Sequence, residues 1–88
     1  MGFTPIPLKE YAQRHVKANP GDKEREVIAS LERALRDFQR GVRCACGEPI
    51  WVIGSSVVGN SCFTCITGST DNSEDYEVAE AFRPATLP

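Results

Sequence analysis

Eighty-eight residues, 41% hydrophobic and 25% charged, suffice for one small domain with a thin apolar core and exclude wholesale disorder. A net charge of −2 excludes a uniformly basic nucleic-acid binder and leaves room only for a local basic patch. No run approaches the ~20 apolar residues of a membrane span, and M-G-F-T-P-I-P-L has neither the basic head nor the apolar run of a secretion signal, so the expectation is a cytoplasmic protein with no membrane partner.

The spacing of Leu8, Tyr11, Ala12 and His15 or Val16 predicts a first helix from about Pro7 to Ala18, opened by Thr4, Pro5 and Pro7. Asn19-Pro20-Gly21-Asp22 supplies a break, an N-cap and a proline at the first helical position, so a second helix is expected over roughly Pro20 to Arg40. Val27, Ile28, Leu31, Ala34, Leu35 and Phe38 give it an apolar stripe, and Gly41 is placed to end it. The short connection predicts an antiparallel helical hairpin. Beyond Arg43 the texture changes: P49-I-W-V-I53 reads as a strand, Val57-Val58 as its continuation or return, and Ile66-Thr67-Gly68 as a further extended stretch. Gly54-Ser55-Ser56 reads as turn chemistry. Asp75-Tyr-Glu-Val78 reads as a third strand or as part of a short helix over Ser73 to Phe82, and 83–88 as a frayed tail.

All four cysteines fall in one window, Cys44-Ala-Cys46-Gly47 and, after fifteen residues, Cys62-Phe-Thr-Cys65. Structural zinc takes four ligands tetrahedrally, and two tight turns with two thiolates each supply them economically. Gly47 suits the left-handed bend that aims backbone amides at sulfur. Disulfides suit an oxidising compartment, which the N-terminus gives no reason to expect. A catalytic C-x-x-C wants a thiol at a helix N-terminus, whereas Cys62 lies in strand-like Gly/Ser-rich sequence. The same four thiolates also suit iron.

The window at about residues 42–67 resembles a zinc ribbon, in which two cysteine knuckles on β-hairpins clamp one ion; the first pair here is C-x-C where zinc ribbons usually carry C-x-x-C. The resemblance implies one Zn²⁺ on Cys44, Cys46, Cys62 and Cys65, with iron as the alternative. Four thiolates saturate the ion and leave no position for substrate, so a structural site and no enzymatic activity are expected.

Arg33, Arg36, Arg40 and Arg43 recur at helical spacing and form either a phosphate-gripping stripe or, with Glu32 and Asp37 interleaved, a solvated face. His15, the only histidine, is expected as a partly exposed helix residue rather than a ligand. Trp51 and Phe63 are expected to cover the thiolates and close the core, and Glu74-Asp75-Tyr76-Glu77 to be a solvated acidic face. Together these features predict one α+β domain over 1–88: a helical hairpin (1–41) packed on a small zinc-ribbon-like β-hairpin or three-stranded sheet (42–82), then the tail. The expected activity is binding, to another protein first and to nucleic acid second, with a rubredoxin-like iron electron carrier as the alternative.

Overall fold

The computed structural model describes residues 3–71 and 75–82. Strand β1 (Thr4–Ile6) leads into helix α1 (Leu8–Ala18) and helix α2 (Glu24–Gln39); two short helices follow, α3 (Val52–Val58) and α4 (Phe63–Thr67), then strand β2 (Tyr76–Val78) and a 3₁₀ turn (Ala79–Phe82). The protein is thus α+β, and the predicted tail lies outside the described residues.

The two long helices form where the apolar spacing places them. Leu8 and Ala12 of α1 and Leu31 and Ala34 of α2 are buried together, with Tyr11, Val27, Ile28, Leu35 and Phe38 packed around them. Helix α2 starts later than its sequence suggests: Asp22 donates its amide to the Asn19 carbonyl at 2.9 Å, so Asn19 to Asp22 close a turn and leave Lys23 as N-cap. Glu24 and Glu26 then place negative charge at the positive end of the helix dipole.

The remaining elements depart from expectation. Pro7 is the N-cap of α1, as a helix start there predicts, but residues 4–6 are extended and pair in parallel with β2, Thr4 opposite Tyr76 and Ile6 opposite Val78. This two-stranded sheet joins residues 4–6 to residues 76–78 and, among the described residues, stands in place of the expected β-hairpin or three-stranded sheet. Between Pro49 and Ile53 only a single antiparallel bridge, Arg43 to Pro49, remains of the predicted strand. From Val52 the chain is helical, and Val57-Val58 end that helix instead of extending a strand. Residues 66–68, also read as extended, lie at the end of α4.

The reason for α3 is distant in sequence. The carboxylate of Glu77, on β2, accepts the amides of Val52 at 2.8 Å and Ile53 at 3.2 Å, satisfying donors that a helix start leaves unpaired. Val52 and Ile53 then join Ile6 and Val78 in the core, so tertiary packing overrides the β-propensity of V-I.

Gly54 is a helical contact point, not a turn residue. A β-carbon there would sit 2.5 Å from Trp51 Cε3 and 2.6 Å from Ile66 Cδ1. The absent side chain lets α3 approach the Trp51 ring and α4. Alanine gains about 1 kcal/mol of helix propensity, but overpacking costs about 1–3 kcal/mol. Gly54→Ala is expected to lower stability by about 1 kcal/mol or more and to shift Trp51 fluorescence, measured by urea unfolding followed through the indole. Unchanged emission and a stabilised protein would refute the close approach.

Candidate metal centre

Each cysteine pair is held by its own local structure. In the first knuckle the Cys44 amide donates to the Glu48 carbonyl at 2.9 Å and the Gly47 amide to the Cys44 carbonyl at 2.8 Å. Gly47 has φ +97°, the left-handed backbone that its position after the second cysteine suggested. Arg43 Nη1 donates to the Gly47 carbonyl at 3.0 Å and braces the loop from outside.

The second knuckle is the N-terminus of a helix rather than a hairpin turn. Cys62 is the N-cap of α4, and its Sγ accepts the Cys65 amide at 3.4 Å. The fifteen residues between the pairs, expected to form a hairpin, instead use α3 as a support. The Ser61 carbonyl accepts both the Trp51 amide and the Ser55 hydroxyl at 2.9 Å, while the Ser61 amide donates to Ser55 Oγ at 3.1 Å. Asn60 Nδ2 donates to Asp37 Oδ2 at 3.2 Å, tying the same loop to α2. This contact, with Arg40 and Arg33 nearby, holds the Asp37 carboxyl below its ordinary range.

These supports bring the four Sγ atoms within 4.8 Å of one another, with Cys46 and Cys62 3.5 Å apart. Cys44 and Cys62 are buried, Cys46 and Cys65 are exposed, and all four are free thiols. A tetrahedral ion with Zn–S bonds of 2.3 Å separates its sulfurs by about 3.8 Å, so the donor set fits one ion of that kind. Among the described residues, neither His15 nor any carboxylate belongs to the cluster.

The electrostatics also suit a cation. The Cys46 and Cys62 amides point at Cys44 Sγ and draw that thiol down to about 6. At Cys46 the Glu48 amide works in the same direction, but the Cys62 and Cys44 sulfurs and burial outweigh it and the net displacement is upward. Cys65 is pushed up to about 12, chiefly by its contacts with the Cys44, Cys62 and Cys46 sulfurs. One thiolate therefore forms readily, and its charge opposes the others. A divalent cation removes that opposition and lets all four ionise together.

Around the sulfurs the aromatic expectation extends to a third ring. Trp51 and Phe63 meet edge to face with centroids 4.9 Å apart, and Phe3 stacks on Trp51 at 5.7 Å. Trp51 Nε1 donates to the Tyr76 carbonyl at 2.9 Å, anchoring the indole to β2. Sequence reasoning missed Phe3, Ser55, Asn60 and Glu77. Glu77, which its acidic neighbours suggest is solvated, is only 3% exposed, and burial raises its carboxyl to about 7 despite three backbone amides that act to lower it. Nothing local to Y-E-V marks it as a cap for a helix 25 residues away.

The basic stripe is partly engaged within the chain: Arg40 pairs with Asp37 and Arg43 with the Gly47 carbonyl, while Arg33 and Arg36 are exposed. His15 is half-buried and bonds Asp22 through Nε2 at 2.7 Å. It lines a separate cavity of about 250 Å³ with Tyr11, Val27 and Ser56. Among the described residues no helix is long and apolar enough to cross a membrane.

Fold and site together define a small α+β protein with a four-thiol cluster able to hold a metal ion. No family model matches the chain, and neither a curated protein nor a solved structure does.

Proposed function

We propose that this is a small zinc-binding protein in which one ion on Cys44, Cys46, Cys62 and Cys65 has a structural role, and that it acts as a protein-interaction module rather than an enzyme. The observation that carries the reading is the convergence of four sulfurs from two separate segments to within 4.8 Å. Four thiolates fill a tetrahedral ion and leave no position for substrate, which supports a structural over a catalytic role. The two knuckles would clamp the ion as those of a zinc ribbon do, with α4 in place of the second hairpin. A reducing compartment such as the cytoplasm keeps the thiols available.

Protein rather than nucleic acid is favoured as partner because Arg40 and Arg43 are engaged within the chain. Val57, Val58 and Phe82 meanwhile present apolar surface, each more than half exposed. Elemental analysis and an absorption spectrum of protein purified from its native cell under reducing conditions test the metal assignment. About one zinc per chain and a colourless solution are expected. A coloured iron–thiolate protein would replace this reading with the electron carrier, and a metal-free protein would defeat both.

A further inference from the structure

Beside the buried sulfur of Cys62 lies an open cavity of about 320 Å³. Its walls include Phe3, Trp51, Phe63 and Phe82, and its lining includes the exposed Glu48 and the buried Glu77. Among the described residues lining it there is no lysine, arginine or histidine. The volume is at the lower end of the range for ligand sites and suits one large side chain better than a dinucleotide or lipid. The lining selects for charge as well: aromatic faces attract cations through their quadrupoles, and the exposed Glu48 carboxylate repels phosphate. Glu77 is 3% exposed and its oxygens accept the Val52, Ile53 and Val78 amides, so the charge that faces the opening is that of Glu48.

We propose that this cavity receives an arginine or lysine side chain presented by a protein partner, its apolar stem against the Phe3, Trp51 and Phe82 rings and its charged head toward the exposed carboxylate of Glu48. The inference rests on the protein-binding reading and adds the chemistry of the anchor. Its position explains why a metal would matter to binding: Cys62 and Phe63 line the cavity and belong to the knuckle that the ion would fix. Arginine is the better fit, because a planar guanidinium stacks on aromatic rings and meets a carboxylate through two donors.

The test is an NMR titration of the metal-loaded protein with Nα-acetyl-arginine amide, Nα-acetyl-lysine amide and the neutral isostere Nα-acetyl-citrulline amide. The arginine probe is expected to move the Trp51 indole resonance and to bind roughly tenfold more tightly than citrulline. Glu48→Gln and Phe82→Ala change exposed side chains and spare the core; each is expected to weaken arginine binding about threefold to tenfold. Equal binding of arginine and citrulline, no binding at all, or binding unaffected by both variants would overturn the proposal. A native partner retained equally by the wild type and by both variants removes the anchor but keeps the module, whereas retention of no partner by the metal-loaded wild type defeats the module itself.

Discussion

Stripping the metal from thiol-protected protein is expected to abolish ordered structure in both knuckles and in α4, and to remove any cooperative thermal transition well above room temperature. The reason is one of magnitude. Structural zinc sites contribute roughly 10–16 kcal/mol of apparent binding energy, against total stabilities of about 5–15 kcal/mol for folded domains. Helix α4 has only five residues, far below the length at which a helix persists unaided, and its N-cap is the sulfur of Cys62. The damage should spread through Ser61, which Ser55 and Trp51 hold from α3, and from there to the core positions Val52 and Ile53. Amide NMR of chelated, reduced protein reads this directly. Helices α1 and α2, with their own apolar interface, should be the last to lose helical content in circular dichroism.

Glu77→Ala should be the most damaging single substitution outside the cysteines, by about 3 kcal/mol in urea unfolding. It leaves the buried amides of Val52, Ile53 and Val78 without their acceptor, at about 1–3 kcal/mol each. Part of that loss is offset because a buried carboxylate disappears and water enters from the adjoining cavity. The same residue has a pH signature. Its carboxyl is raised to about 7 in the folded chain from an ordinary value of 4.5, so between those values the native state binds more protons than the unfolded state. Stability therefore falls as pH rises through that window, by about 3 kcal/mol in all. Measured as the difference between wild type and Glu77→Gln from pH 4.5 to 8, the slope isolates this group, because thiol protonation and metal loss affect both proteins alike. A flat difference would mean that the carboxylate is not buried as described.

The sequence is legible where information is local. Repeating apolar spacing locates α1 and most of α2, Gly41 marks the end of α2, and the clustering of cysteines with Gly47 points to the thiol site. What escaped depends on contacts across the chain. P-I-W-V-I carries β-branched residues that favour a strand in isolation, yet Glu77 caps the helix that starts at Val52, and a core supplied by β1, α1 and α2 buries it. Thr4–Ile6 is too short to show a two-residue period and becomes a strand because Tyr76–Val78 lies alongside it. Ser55 looked like turn filler, but it holds Ser61 and thereby places Cys62. The clustered sulfurs are named by the sequence, whereas the scaffold that brings them together is not.

X-ray absorption at the metal edge of the natively purified protein addresses the sulfur-held ion most directly. Four sulfur neighbours at about 2.3 Å are predicted, dropping to three in Cys46→Ser or Cys65→Ser. A shell dominated by nitrogen or oxygen, or one unchanged by both substitutions, would contradict the account.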